Sequence, residues 1–197
     1  FDKIIIGFGK AGKTLAVMAA NKGEKVALIE KSPKMYGGTC INIACIPTKV
    51  LAVAASENLT FEEAIARKFD VVQRLNSKNY HMLADNESIT VFDGFGSFLD
   101  ENTILVESNG EKLELSADKI IINTGAESFI PKISGIEEGL KNSKILTSTE
   151  LLENQEAIDS LAIIGGGFIG LEFASTFAKL GAKVTIFFSI SKFAHLL

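Results

Sequence analysis

The stretch that decides the fold is "DKIIIGFGKAGKTLAVMAANKGEKVALIE", residues 2 to 30. An unbroken apolar run, a glycine turn, a segment with helical spacing, Gly23 near its end and a second apolar run closing on Glu30 predict strand, turn, helix and strand. "SLAIIGGGFIGLEFASTFAKLGAKVTIFF", residues 160 to 188, repeats that order element for element, with Gly181 in the place of Gly23. Each copy predicts a βαβ half-unit, and two copies predict an α/β chain built from Rossmann-like domains.

Between the copies the texture changes. Residues 57 to 84 carry apolar side chains at helical spacing and predict one long helix or a helix pair. Residues 89 to 115 show short β-rich runs broken by Asp-Gly, Asp-Glu-Asn and Asn-Gly, which predicts a β-meander inserted into the α/β domain. "KIIINTGAESFIP" then returns as an apolar strand ending at Thr124-Gly125-Ala126, and residues 131 to 160, polar and punctuated by Pro131, Gly135 and Gly139, read as a connection.

The glycines carry a specific chemistry. In "GFGKAG", Gly7 suits a tight strand-to-helix turn, Gly9 lets backbone approach a pyrophosphate, and Gly12 lets the helix pack closely on the sheet. The helix N-terminus supplies unpaired N–H groups and a positive dipole end to phosphate. Glu30, 23 positions after Gly7, is placed to accept hydrogen bonds from a ribose diol. "GGGFIG" supplies Gly165, Gly167 and Gly170 at the same spacing, but the position matching Glu30 is Phe188. With no acid for a 2′-hydroxyl and no nearby arginine for a 2′-phosphate, the second site does not choose between NADH and NADPH.

Both cysteines lie in "GGTCINIACIPTK", residues 37 to 49. On a regular helix Cys40 and Cys45 would be separated by about 8.6 Å, whereas a disulfide needs Cα atoms within roughly 4.4 to 6.8 Å, so a bonded pair excludes an ideal helix there. Gly37, Gly38 and Thr39 permit an irregular entry, and Pro47 removes a backbone donor just beyond. A disulfide held in such a distorted turn would be easily reduced, as a catalytic one must be. A structural disulfide, a zinc site and two inert thiols are the alternatives. His81 and His195, the only histidines, stand at no finger-like spacing from the cysteines.

Composition sets outer limits. A net charge of −4 with scattered lysines gives no electrostatic footprint for nucleic acid. "LAIIGGGFIGLEFASTFA", residues 161 to 178, has the length of a membrane span and one charge, Glu172, but its three successive glycines would break a spanning helix in its first turn. The N-terminal residues lack the pattern of an export signal, so the expected compartment is the cytoplasm, with no membrane and no nucleic acid as partner.

With these residues in view, the chain resembles the flavoprotein disulfide reductases, the family of glutathione reductase, dihydrolipoamide dehydrogenase and mercuric reductase. "GGTCINIACIPTK" matches the family's redox box. "IIGFGKAGKTLA" and "MYGGTCINI" are most similar to a bacterial reactive-chlorine-resistance branch associated with copper(II) reduction. The resemblance implies an FAD-binding domain over 1–150 and the incomplete first part of an NAD(P)-binding domain over 151–197. Gly7, Gly9, Gly12 and Glu30 would hold the ADP half of FAD, with Gly38, Thr39, Gly94, Thr124 and Gly125 closing around it. Cys45 would be the thiol against the flavin and Cys40 the outer interchange thiol. Lys49 and Glu172 look like the family's ion pair beside the flavin. Gly165, Gly167 and Gly170 would take the pyrophosphate of NAD(P)H, and Phe168 stands where many members carry a gating tyrosine.

The implied activity is electron transfer from NAD(P)H through FAD to the Cys40–Cys45 disulfide and on to a small disulfide or a metal ion, in a protein whose full-length relatives are homodimers. Family members are more than twice this long, and "FFSISKFAHLL" leaves the family's pattern, so the expectation is a truncated or frameshifted fragment that does not turn over alone. Two other readings compete: a catalytically silent dinucleotide-binding module pairing through an unfinished sheet, and a monooxygenase-type flavin enzyme, which would have no use for Cys40 and Cys45.

Overall fold

A computed structural model describes residues 1–188; His195 and the residues after Phe188 that carry the unusual C-terminal sequence lie outside them. The chain forms two compact units, one of Phe1–Asn42 with Val72–Glu127, the other of Ile43–Val71 with the described residues from Ser128 onward.

The first unit is organised by strands β1 (Lys3–Ile6), β2 (Val26–Glu30), β3 (Ile89–Asp93) and β7 (Lys119–Ile122), all parallel, in the order β3-β2-β1-β7. Strands β1 and β2 are apolar at successive positions because both faces of the sheet are covered. Ile5, Val26 and Leu28 pack with Ala16 and Ala19 of helix α1 (Lys10–Ala20) and with Leu83 from the end of helix α4 (Phe61–Ala84). Ile4, Ile6, Ala27 and Ile29 face the other way, onto Ile104, Val106, Leu115 and Ala117. These last residues belong to or follow an antiparallel meander of β4 (Phe95–Phe98), β5 (Thr103–Ser108) and β6 (Glu111–Ser116). Asn109 and Gly110, both at positive φ, make its second turn, as Asn-Gly favours.

The sequence correctly places a β-meander here but draws it one strand too wide. "ITVFD" of β3 pairs in parallel with β2, from Val26↔Ile89 to Glu30↔Asp93. A short β-rich run does not reveal which neighbour completes its hydrogen bonds. The 57–84 segment is a single helix over its last 24 residues, opened by Thr60 and Glu63, whose side chains each accept the other's backbone N–H.

In the second unit, β8 (Ser160–Ile164), α7 (Phe168–Lys179) and β9 (Lys183–Phe187) form the second βαβ half-unit, with β8 and β9 parallel. Its core joins Phe173 and Phe177 of α7 to Leu51 and Ala54 of α3 (Cys45–Ser56), to Phe61 and Ile65 at the start of α4, and to Leu151 and Leu152. The expected connection over 131–160 therefore contains structure: α5 (Ile136–Lys141) and α6 (Ser148–Glu153), the latter opened by a Thr147–Glu150 capping box. Six residues are too few for helical periodicity to stand out. Residues 161–178 do not form one span, since strand, glycine turn and helix divide them. Thr39–Ser56 is apolar enough to cross a membrane by length and composition, yet its helix breaks at Ile43 and Ala44, and Leu51 and Ala54 lie in the core.

One buried charge stands in this core. Lys68, 2% exposed, donates from Nζ to the Leu152 carbonyl in the last turn of α6 and lies 3.5 Å from the centre of the Phe69 ring. Burial pushes its ammonium down to about 8, against the pull of Glu153. Between that value and the ordinary lysine range the unfolded chain holds a proton that the folded chain has released, so stability rises with pH across that window. The stability of the wild type relative to Lys68→Met should therefore grow from pH 8 to pH 10 in urea unfolding, and a difference independent of pH would remove this account.

Candidate functional site

The first glycine turn is built by contacts that leave no room for side chains. Gly7, at φ 105°, donates its N–H to the Ile29 carbonyl at 2.7 Å, which closes the turn on the end of β2. A Cβ on Gly12 would lie 2.8 Å from the Gly7 carbonyl oxygen and 2.9 Å from Ile5 Cγ2, and would collide with the Asn123 amide. Gly9 caps α1 in extended geometry with no side-chain cap, and the first turn holds no acid. The leading N–H groups are thus left to an anion, with the positive end of the helix dipole behind them.

Glu30 ends β2 at this turn. It is 8% exposed, its Oε2 accepts the Phe8 N–H at 2.9 Å and its Oε1 the Ser32 N–H at 3.1 Å. A carboxylate has about four acceptor positions, so these two bonds orient Glu30 and leave capacity for a diol. Gly94 donates its N–H to the Glu30 carbonyl at 2.9 Å. Gly38 presses on the turn from another side, where a Cβ would stand 2.6 Å from Gly9 Cα. Thr124 follows the Asn123 that meets Gly7, and Gly125 takes φ 80°. Gly7, Gly9, Gly12, Glu30, Gly38, Gly94 and Thr124 are accordingly drawn to one end of the parallel sheet, a cradle that fits an ADP-type diphosphate.

Sequence reasoning stopped one residue short at this place. Asn123 donates from Nδ2 to the Gly7 carbonyl at 2.9 Å and from its backbone N–H to the Ile6 carbonyl at 2.8 Å. It buttresses the turn from the end of β7. A polar residue directly after an apolar strand was the available signal, although its partner lies 116 positions away. Tyr36 was also missed as a fastening: its hydroxyl donates to Asp93 while its ring packs on Phe8 and Tyr80.

The cysteine segment is irregular in its backbone. Gly37 and Gly38 take φ 93° and 79° ahead of a short helix α2 (Thr39–Asn42), and α3 begins anew at Cys45 after Ala44, whose φ −147°, ψ −103° is far from helical. Pro47 falls in the first turn of α3, where a missing N–H costs little. Cys40 is half-buried, Cys45 is exposed, and the two are thiols rather than a disulfide. Thr39 is exposed at the start of α2.

The second glycine turn repeats the first. Gly165, at φ 121°, donates its N–H to the Phe187 carbonyl at 2.8 Å, and a Cβ on Gly170 would collide with the Gly165 carbonyl oxygen. Gly167 caps α7 without a side-chain cap, and Phe168 opens that helix 88% exposed. Phe188 stands where the first turn has Glu30, and its side chain lies over Gly166. Lys49 is exposed on α3 and Glu172 half-buried on α7; among the described residues they form no ion pair with each other. A solvated ammonium gains little from such a pair unless a third group draws both together. His81 sits on the surface, 3.3 Å from Asp85.

A parallel sheet ending in a glycine turn and a buried acid, and a second βαβ half-unit with the same turn, are the features of a dinucleotide-binding α/β protein. The chain belongs to the pyridine nucleotide-disulphide oxidoreductase family, whose model matches residues 1–194. It is 49% identical over 193 residues to the probable pyridine nucleotide-disulfide oxidoreductase RclA of Escherichia coli K12, covering 98% of this chain and 43% of that protein. It is 36% identical to a dihydrolipoyl dehydrogenase of Acholeplasma laidlawii, covering 94% of this chain and 59% of that one. A Cu(II) complex of a cysteine-to-serine mutant of the HOCl-induced flavoprotein disulfide reductase RclA from Escherichia coli superposes with a TM-score of 0.90 at 49% identity, over 94% of this chain and 42% of that one. The chain thus spans roughly two-fifths to three-fifths of the length of these relatives.

Gly9 at the N-cap and Gly12 in the first turn of α1 should respond differently to substitution. Gly12→Ala drives a Cβ against a backbone oxygen and should cost about 1–3 kcal/mol in urea unfolding, whereas Gly9→Ala meets only the end of the Asn123 side chain at 3.0 Å and should cost distinctly less. Equal losses would show that close helix–sheet approach is not what position 12 supplies.

Proposed function

We propose that this chain is the FAD-binding part and the beginning of the NAD(P)H-binding part of a flavoprotein disulfide reductase, which passes electrons to the Cys40–Cys45 pair and on to a small disulfide or a metal ion. The observation that carries this reading is the seating of Gly38 against Gly9. The segment bearing Cys40 is thereby fastened to the turn that receives the diphosphate, with Cys40 two residues beyond the contact.

Gly7, Gly9, Gly12 and the N-terminus of α1 bind the diphosphate, Glu30 orients the ribose, and Gly38, Thr39, Gly94, Thr124 and Gly125 close around the cofactor. Bound FAD would take a hydride from NAD(P)H and deliver the electron pair to a disulfide. Cys45 receives that pair as the thiol on the cofactor side, and Cys40 leaves as the thiol that exchanges with substrate. Gly165, Gly167 and Gly170 receive the diphosphate of NAD(P)H, Phe168 covers its nicotinamide end, and Lys49 and Glu172, which form no ion pair with each other in this structure, would be drawn together only by the bound flavin. The redox-active pair, a cytoplasmic setting and a homodimeric assembly belong to the same reading. A metal-ion acceptor draws support from the Cu(II) complex of the related RclA protein.

A second reading has its own support. In β8 and β9 alternate residues face solvent, with Ile164 and Phe187 about 60% exposed, so the chain could instead be a silent dinucleotide-binding module that joins another chain through this sheet. A visible spectrum separates the two. The oxidoreductase reading expects a yellow protein with stoichiometric FAD whose two-electron-reduced form shows a long-wavelength band, absent in Cys45→Ser. A folded, colourless protein that takes up no FAD overturns it in favour of the module.

A further inference from the structure

We propose that Lys13 is the positioning residue that keeps Cys40 in its nucleophilic thiolate form. The inference rests on Cys40 acting as the interchange thiol, and it adds to the reaction a residue from the glycine loop itself. Lys13 lies one turn into α1, its N–H donating to the Gly9 carbonyl at 3.0 Å. Gly9 is the residue on which Gly38 presses, and Cys40 follows two positions after Gly38.

The ammonium is aimed by Asn79 of α4, whose Oδ1 accepts from Lys13 Nζ. Asn79 is itself fixed: it is 7% exposed, donates from Nδ2 to the Leu75 carbonyl at 2.6 Å, and abuts Gly37, where a Cβ would stand 3.0 Å from Asn79 Cγ. Lys13, Asn79 and the turn that carries Cys40 are therefore one cluster.

The charges that act on Lys13 are those of Lys10 and Cys40, while the carboxylates of Glu30 and Asp93 act on the neighbouring Tyr36. Lys10 stands on the same helix and is felt by Lys13. From α4 come Asn79 and Asn76, both neutral, and Asn76 bonds to Asn42 of α2 at 3.0 Å. The nearby Tyr36 hydroxyl is held by Asp93. Among the described residues Lys13 forms an ion pair with no carboxylate. Partial burial and the neighbouring Lys10 hold its ammonium below the usual lysine range, and the Cys40 thiolate pulls it back up. That coupling is mutual, so the cation lowers the pKa of the thiol by as much as the thiolate raises that of the amine. The proton released from Cys40 goes to solvent, and the sulfur is left charged for attack on a disulfide.

The test is the pH dependence of iodoacetamide alkylation of Cys40, followed by mass spectrometry in the full chain with Cys45→Ser as background. Cys40 should titrate below the ordinary thiol value. Lys13→Gln should move its midpoint up by about one unit, a tenfold lower thiolate fraction near neutral pH, and Lys13→Arg should restore it. Should Lys13→Gln fail to fold, salt on the unsubstituted protein gives the same reading. Raising ionic strength from 0.01 to 1 M shortens screening from about 30 to 3 Å and should raise the Cys40 midpoint. A midpoint unmoved by Lys13→Gln, or by salt where that variant does not fold, overturns the inference. Alkylation reads thiol acidity with or without FAD. A colourless protein that still shows the Lys13 effect therefore defeats the oxidoreductase reading alone, and a yellow one without it defeats this inference alone.

Discussion

The close approach of helix α1 to the end of strand β1 is the constraint on which the first unit depends. The Gly7 carbonyl oxygen, held by the Asn123 amide, occupies the space a side chain at position 12 would need. Because nothing intervenes, α1 starts directly over the strand end and its unpaired N–H groups are brought to the carboxyl edge of the sheet, where ligands of open α/β folds bind. Glu30 arrives at the same edge because β2 runs parallel to β1 in a register that sets Ile6 beside Ile29. The cradle is thus a consequence of packing, with each strand delivering one recognition element at its end.

The second constraint is the two-sided burial of that sheet. Alternate residues of β1 and β2 send Ile5, Val26 and Leu28 to the helices and Ile4, Ile6, Ala27 and Ile29 to the meander. A strand with both faces buried holds its register firmly, since a slip by one residue would exchange the two sets between unlike surfaces. The cysteine segment, by contrast, is irregular in its own backbone. Two glycines at positive φ, a four-residue helix and a non-helical Ala44 interrupt what an apolar, alanine-rich sequence would otherwise make continuous. A disulfide-forming pair in general needs backbone geometry that accepts both the bonded and the open state, which a regular helix does not provide.

The two half-units share a turn geometry and differ in their chemistry. Gly7 and Gly165 bond to the ends of their partner strands at 2.7 and 2.8 Å, and Gly12 and Gly170 make the same close approach. Only the first ends in a buried acid; the second ends in Phe188, with no carboxylate to hold a 2′-hydroxyl. The repeated part is what diphosphate binding requires of backbone, and the part that varies is what ribose recognition requires of side chains.

Local pattern was enough to reveal the half-units, the strands, the glycine turns and the Asn-Gly hairpin, because each is specified by neighbours in sequence through period, φ preference or spacing. What it left open were matters of partnership. Strand β3 reads as part of the meander until β2 claims it, and α5 and α6 are too short to show a period. Asn123 gains its role from Gly7, Lys13 from Asn79 and the Cys40 turn, and Lys68 from the end of α6. These contacts join residues dozens of positions apart, so they follow from which surfaces come together on folding. A one-dimensional pattern states which face of an element is apolar; only the folded chain decides what that face, and the charges at its edge, will meet.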